Sequence, residues 1–317
     1  MTIDTPSVVY GPVPSRRLGR SLGIDLVPFK TCTYDCIYCQ LGRTTHKTVR
    51  RGHWIDPEPA VAQVRDRLDS NPDVIAVAGS GEPTLNNGLG EVIAGIKALT
   101  DVPVAVITNG SLLGRSSVQQ DLARADVVLP SLDAADAASW KAVNRPHPNL
   151  SFDGFVDGMA AFRQGFAGQI WLEVLLLDGL TGTREHVERL ASLAARTSPD
   201  RVQLNTVVRP PAEMTARPVT EGRLEAYAAL FTPRAEVIAG APALQADQET
   251  TAADVLRLIS RRPCTVADTA AGLGIHQSAA LKALTVLFER GEAQRRDHEG
   301  GCFYVAAGNI QPDVEDS

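Results

Sequence analysis

The sequence predicts an α/β protein, a largely parallel sheet followed by a small helical unit. Three observations predict it: Val/Ile-rich runs alternate with stretches of helical spacing, Pro or Gly stands at many junctions, and the alternation stops near residue 240. At 317 residues the chain is long enough for one large core plus an appendage. Residues 21–27, 74–79, 103–109, 127–133, 169–178 and 201–208 read as strands. Between them, 58–70, 88–100, 115–125, 152–164 and 183–196 have helix-compatible spacing. A barrel or half-barrel closes such a sheet, but a doubly wound sheet has the same one-dimensional pattern, and periodicity does not separate them.

Residues 241–251 are small, polar and aperiodic, and read as a linker. Beyond it, 254–261 reads as a helix, 265–272 as a second with Thr265 as N-cap, and 276–290 as a third. The third shows an apolar face of Ala280, Leu281, Leu284, Leu287 and Phe288 and ends at Gly291. Asp297-His298-Glu299-Gly300-Gly301 reads as a turn between two short strands within 292–306, so 252–307 suggests a winged helix. A disordered tail is expected over 308–317.

Hydrophobic residues at 44% and charged residues at 21% match an ordinary globular protein, and no apolar run nears the ~20 residues of a membrane helix. Met1-Thr2-Ile3-Asp4-Thr5-Pro6 lacks the basic, then apolar start of a secretory signal, so a cytoplasmic setting with reduced thiols is expected. Five cysteines there do not make a disulfide framework: three fall within eight residues, while Cys264 and Cys302 stand apart and read as packing thiols. The formal charge of −6 is uneven. Residues 1–55 hold eight Lys/Arg against Asp4, Asp25 and Asp35, a net +5, leaving −11 for the remainder. An anionic ligand near the clustered cysteines follows as an expectation, against the plain reading of a solvated basic face.

Cys32, Cys36 and Cys39 form a C-x3-C-x2-C pattern just past the first predicted strand, on the side where parallel α/β folds carry their chemistry. Three thiolates can hold three irons of a cubane and leave the fourth open. Zinc is the competing occupant. It asks for four ligands, and with Cys264 and Cys302 more than 200 residues away, His46 is the nearby candidate. Further strand-end residues gather on the same side. Gly79-Ser80-Gly81-Glu82-Pro83 closes the second strand, Asn109 the third, Ser131 and Asp133 the fourth; each is also a residue type found in plain turns and helix caps. Arg16, Arg17, Arg20 and Lys30 are candidates to hold an anion or are simple surface charge, Arg209 follows the sixth strand, and Glu173 in an apolar strand suggests pairing with an arginine.

Cys32-Thr33-Tyr34-Asp35-Cys36-Ile37-Tyr38-Cys39, with an aromatic residue before the last cysteine, resembles the signature of the radical S-adenosylmethionine (SAM) superfamily. The resemblance covers about residues 10–240 and implies a partial (β/α)6 TIM-like barrel. It implies a [4Fe–4S] cluster on Cys32, Cys36 and Cys39, with SAM on the open iron cleaved reductively to a 5′-deoxyadenosyl radical. By the same resemblance Gly81 and Glu82 meet the SAM amino group, Asn109, Ser131 and Asp133 its ribose and carboxylate, and Tyr38 its adenine. A reductant such as flavodoxin or ferredoxin is the implied partner. Ser131-Leu132-Asp133-Ala134-Ala135 and Asn144-Arg145-Pro146-His147 are similar to the wyosine-synthase-like branch, but no cysteine precedes Cys32 to hold that branch's second cluster. The substrate stays open among RNA, peptide and small anion. The rival is an iron–sulfur redox-sensing DNA-binding regulator with 277–290 in the major groove; seven Lys/Arg against six Asp/Glu over 251–307 give it little basic character.

Overall fold

Strands form where apolar runs can be buried on both faces of a parallel sheet, and the computed structural model places them as the runs predict. It describes residues 8–238, 252–273, 275, 277–298 and 301–308. The predicted linker and, from residue 309, the predicted tail lie outside these.

In chain order the first elements are β1 (Val9–Ser15), β2 (Gly19–Ile24), β3 (Thr31–Cys32), β4 (His46–Lys47), α1 (Pro57–Arg65), β5 (Val74–Val77), α2 (Leu89–Leu99) and β6 (Val104–Thr108). Next come α3 (Ser116–Leu122), β7 (Val127–Pro130), α4 (Ala137–Val143), α5 (Phe152–Gly165), β8 (Gln169–Leu176), α6 (Arg184–Arg196), β9 (Arg201–Thr206), α7 (Glu221–Ala228) and β10 (Glu236–Val237). One eight-stranded sheet runs β1-β2-β5-β6-β7-β8-β9-β10, parallel throughout except for the antiparallel β1–β2 hairpin.

The six predicted strands are β2 and β5–β9; β1 and β10 at the two ends were not predicted. In β1, Val-Tyr-Gly-Pro-Val-Pro-Ser neither alternates nor offers every N–H, which only an edge strand tolerates, and its register shifts between Tyr10 and Val13. The ends of the sheet curl toward each other. Beyond β1, the Arg16 guanidinium donates to Asn205 Oδ1 on β9 at 3.3 Å and to the Ile238 carbonyl, next to β10, at 2.8 Å, while Arg17 pairs with Glu173 on β8.

The last five elements are α8 (Ala252–Arg261), α9 (Val266–Leu273), α10 (Gln277–Glu289), β11 (Ala293–His298) and β12 (Gly301–Ala306). They share a second core around Val255, Leu258, Leu284, Leu287 and Tyr304. Cys264, buried between α8 and α9, exchanges backbone hydrogen bonds with Tyr304, adding a one-residue third strand to the hairpin. Thr265 caps α9 by accepting from Asp268 N at 3.0 Å. The predicted apolar face of α10 is only partly covered: Ala280, Leu284 and Leu287 are buried, but Leu281 and Phe288 are 46% and 42% exposed, because so small a unit covers one narrow stripe. Of the predicted turn, Asp297, His298 and Gly301 belong to the strands, and Glu299 and Gly300 lie outside the described residues. This unit packs α9 and α8 on β1, with Val13 against its core. Among the described residues no helix is long and apolar enough to cross a membrane.

Candidate active site

The cysteine loop leaves the sheet at the C-terminal end of β2 and is pinned on every side by its own sequence. Asp35 accepts from Thr44 N at 2.7 Å and from Arg43 Nε at 3.0 Å, its N–H bonds to the Asn144 carbonyl, and the Cys39 N–H bonds to the Cys36 carbonyl. Glu213 holds Arg145 and Arg43 together beneath it. Tyr34 inserts its ring edge-on against Trp140 at 5.6 Å.

Each of the three thiols faces a nitrogen donor from a different part of the chain. Lys30 Nζ lies 3.0 Å from Cys39 Sγ, Asn109 Nδ2 3.6 Å from Cys32 Sγ, and Asn144 Nδ2 3.5 Å from Cys36 Sγ. Burial and then the Glu82 carboxylate push the Cys32 thiol up to about 12, and burial and then Cys32 push Cys36 well above its ordinary value. Thiols held protonated in this way become ligands only by losing their protons, which metal loading releases. Among the described residues no three His, Cys, Asp or Glu side chains are gathered tightly enough for one metal ion; a cubane presents its irons at separate corners and suits a wider set of sulfurs. With soft donors and N–H groups directed at the sulfurs, the residues fit an iron–sulfur cluster. His46, the fourth ligand of the zinc reading, is exposed on β4 with its ring on Trp54 at 5.6 Å.

Gly79 and Gly81 are glycines by necessity. A Cβ on Gly81 would stand 2.0 Å from the Thr31 carbonyl oxygen, and one on Gly79 2.3 Å from Asp25 Cγ. This contact brings Glu82 N within 3.0 Å of the Thr31 carbonyl and sets the glycine turn against the cysteine loop. Glu82 is fully buried. Its Oε1 accepts from Thr84 N, Thr84 Oγ1 at 2.6 Å and Thr108 Oγ1 at 2.7 Å; among the described residues Oε2 accepts only from Asn109 N at 2.8 Å, and so has a lone pair left for a ligand. Burial raises its carboxyl above the usual range against the opposing pull of these donors.

The structure brings Cys32, Cys39, Tyr38, Gly81, Glu82 and Asn109 onto one cavity of about 440 Å³. Ser131, Arg16, Arg17 and Arg209 line it as well, as does Glu173. Four expected residues sit elsewhere. Cys36 does not line this cavity and lies behind it, with Asn144 Nδ2 at 3.5 Å from its Sγ. Asp133 is behind Tyr38, accepting from the Tyr38 hydroxyl, from Asn144 Nδ2 at 3.0 Å and from Leu175 N at 3.0 Å; burial lifts its carboxyl to about 6. Lys30 is buried against Cys39 rather than facing the cavity. Arg20 donates to the Ser70 carbonyl at 2.7 Å, at the opposite end of β2. Glu173 pairs with Arg17 and accepts from Asn205 Nδ2 at 2.8 Å; burial raises it, and Arg17 with Asn205 overcome that to hold it below the usual range.

Sequence reasoning missed Tyr10, Asn205, Arg261, Arg262 and Asp268, which also line the cavity. The last three come from the C-terminal unit. Arg261 pairs with the buried Asp25, which accepts from Ser80 N at 3.1 Å and Ser80 Oγ at 2.6 Å, and its guanidinium covers the Tyr10 ring at 5.1 Å; Arg209 meets Asp268 at 3.5 Å. An Arg-Arg pair at a helix end carries no sequence signal for such a position.

A thiol triad beside a glycine–glutamate turn over a parallel sheet defines a class. Residues 26–194 match the model of the Radical SAM superfamily, and this chain belongs to that superfamily. Its members are enzymes that use a [4Fe–4S] cluster and SAM with a reductant, and this chain is an enzyme of that class. Within it the chain belongs with the UPF0026 proteins: it is 38% identical over 216 residues to one from Methanocaldococcus jannaschii, covering 67% of each chain. It is 34% identical over 271 residues to another from Helicobacter pylori strain 26695, covering 83% of this chain and 87% of that one. A Brachyspira hyodysenteriae protein described as GTPase Obg is 35% identical over 304 residues, 94% of this chain, but the chain spans only 45% of that protein. In fold the chain is similar to Streptococcus suis SuiB bound to precursor peptide SuiA, with TM-score 0.51 and 15% identity over 65% of this chain and 44% of that one. It is also similar to a radical SAM methyltransferase from Sphaerobacter thermophilus, with TM-score 0.50 and 18% identity over 68% and 65%.

Proposed function

We propose that this enzyme holds a single [4Fe–4S] cluster on Cys32, Cys36 and Cys39 and acts on an anionic substrate in the 440 Å³ cavity. When bound, the cluster and SAM supply an electron and, by reductive cleavage, a 5′-deoxyadenosyl radical that abstracts substrate hydrogen. The observation that carries the reading is the conjunction of three half-buried thiols on one loop, each facing its own nitrogen donor, with a buried carboxylate, Glu82, that has acceptor capacity to spare on the cavity Cys32 and Cys39 line.

Each residue then has a task its geometry supports. Glu82 would hold the SAM ammonium through the acceptor capacity left on Oε2, and the four protein donors keep its carboxylate fixed before the ligand arrives. Asn109, held by Thr33 Oγ1 at 2.7 Å, and Ser131 contribute polar groups to the same wall, with the Tyr38 ring beside them. Asp133 acts through Tyr38 and Asn144 as a positioning residue. Lys30, Asn109 and Asn144 tune the sulfurs by donating to them.

In this reading the chain divides into a barrel unit over 1–240, a linker over 241–251 and a winged helix over 252–307. A small reductant of the flavodoxin or ferredoxin type delivers the electron. The α10 helix of the winged unit carries Lys282 as its one basic residue and exposes Leu281 and Phe288, which makes it a poor reader of a DNA duplex.

The test is anaerobic reconstitution followed by SAM and dithionite. Wild type is expected to release 5′-deoxyadenosine, and Cys36→Ala to release at least a hundredfold less. Equal, background-level release from both, with wild type carrying a full cluster, overturns the reading.

A further inference from the structure

The cavity's charge does not balance. Five arginines line it against three carboxylates, and two of those carboxylates are already engaged by arginines: Glu173 by Arg17 and Asp268 by Arg209. Arg261 is held by Asp25 just outside. Arg16 donates only to an amide oxygen and a backbone carbonyl, and among the described residues neither Arg16 nor Arg262 forms an ion pair. The Nε atoms of Arg209 and Arg262 are buried without a hydrogen-bond partner. These three guanidiniums come from three separate parts of the chain, the β1–β2 turn, the segment after β9 and the end of α8, yet lie near enough to repel one another. Burial and then Arg209 bring Arg16 down to about 10; burial and then Arg262 lower Arg209. Gathering like charges out of water is costly unless an anion joins them.

We infer that Arg16, Arg209 and Arg262 form an anion subsite shared between the barrel and the C-terminal unit, and that it takes the phosphoryl group of a small substrate. The inference rests on the cavity being the site of the proposed chemistry and names what that site accepts. Asp268 at 3.5 Å offsets part of one of the three positive charges, leaving about two, and a phosphate monoester carries about −1.5 to −2 at neutral pH. Arginine presents planar donor forks that match its oxygens in pairs. A small molecule fits better than a polymer because the C-terminal unit packs on the β1 edge, with the Arg261–Asp25 pair holding that edge shut.

The test is calorimetric titration of the full-length, anaerobically reconstituted protein at constant ionic strength with inorganic phosphate, pyrophosphate and, as a carboxylate arm, malonate. Phosphate or pyrophosphate is expected to bind saturably, with Arg16→Gln and Arg262→Gln each weakening it at least tenfold. Arg262→Lys, which keeps the charge but not the fork, is expected to fall between, and Arg65→Gln on exposed α1 to bind as wild type does. Absence of saturable phosphate binding, unchanged affinity in Arg262→Gln, or malonate binding more tightly than pyrophosphate overturns the subsite. If 5′-deoxyadenosine release is intact while phosphate fails to bind, only the subsite falls; phosphate binding without that release leaves the subsite and removes the radical reading.

Discussion

The Arg261–Asp25 pair spans 236 residues and joins the two units, so removing Arg261 tests whether the C-terminal unit is fixed to the barrel. Asp25 is 5% exposed, and Arg261→Leu strands its charge. Stranding one partner of a buried pair costs about 3–5 kcal/mol. Asp25 keeps its two bonds from Ser80, which brings the cost below that range, to about 2–3 kcal/mol, and losing the stacking on Tyr10 adds about 0.5–1 kcal/mol. At 1.4 kcal/mol per tenfold, a total of about 3 kcal/mol is roughly a hundredfold loss in the docked population. Urea-dependent hydrogen exchange of amides in α8 and α10 reports the free energy for opening this unit and should fall by that amount. Asp25→Asn removes the charge instead of stranding it and should cost less. Because the two side chains touch, the double variant should be less damaged than the sum of the singles by at least about 1 kcal/mol. Additivity within about 0.5 kcal/mol would refute the claim that this contact holds the units together.

Gly81→Ala should drive a Cβ into the Thr31 carbonyl at 2.0 Å, cost about 1–3 kcal/mol in a urea titration and reduce iron incorporation; a wild-type midpoint with full iron would contradict the close approach. His186 Nε2 accepts from Ala135 N at 3.1 Å, pinning the segment that carries Ser131 and Asp133, and burial and then Arg189 lower its pKa. The folded ring therefore stays neutral where the unfolded ring, near 6.5, begins to protonate: its stabilisation is present above about pH 6.5 and is lost as pH falls from there toward the lowered folded value. His186→Gln should remove that acid dependence, read from urea midpoints between about pH 7 and 5; an unchanged slope counts against it. Lys30→Met removes a cationic donor 3.0 Å from Cys39 Sγ and should lower the cluster potential, since positive charge favours the reduced cluster. A differential of about 1 kcal/mol corresponds to roughly 40 mV for one electron, within reach of an EPR-monitored redox titration, and a potential that rises would sink the assignment.

What could be read from the sequence was whatever is carried by neighbouring residues. β5, β6 and β7 were legible because runs of Val and Ile are buried on both faces, β8 because its residues alternate between buried and half-buried, and the thiol loop because its three donors fall within eight residues. Strand ends were overrun in a consistent way: 127–133 was predicted, but β7 stops at Pro130, beyond which only an isolated bridge from Ser131 to Glu173 continues the pairing. The seven-residue α4 was missed because Trp140 and Val143 are its only buried residues, too few to show a period, and α7 because Gly222 interrupts its first turn. The C-terminal contribution to the cavity was illegible for a different reason. Arg261, Arg262 and Asp268 acquire meaning only when α8 and α9 pack on β1, a contact between segments more than 230 residues apart that no local pattern encodes.

The basic excess of the first 55 residues illustrates how a correct sum can mislead about place. Nearly all of these cations are committed to the fold. Arg17 pairs with Glu173, Arg43 with Asp35 and Glu213, and Arg51 with Asp121, while Arg20 and Lys47 cap the carbonyls of Ser70 and Arg145 and Lys30 serves a sulfur. Arg16 and Arg50 are the exceptions: Arg50 is exposed, while Arg16 crosses from β1 to β9 and β10 without a carboxylate partner and stands in the cavity with Arg209 and Arg262, which come from parts of the chain whose sum is negative. The charge that matters for a ligand is thus set by which side chains the curl of the sheet and the docking of the C-terminal unit bring together out of water, where screening by salt is weak and a few unmatched guanidiniums outweigh the net charge of the whole molecule.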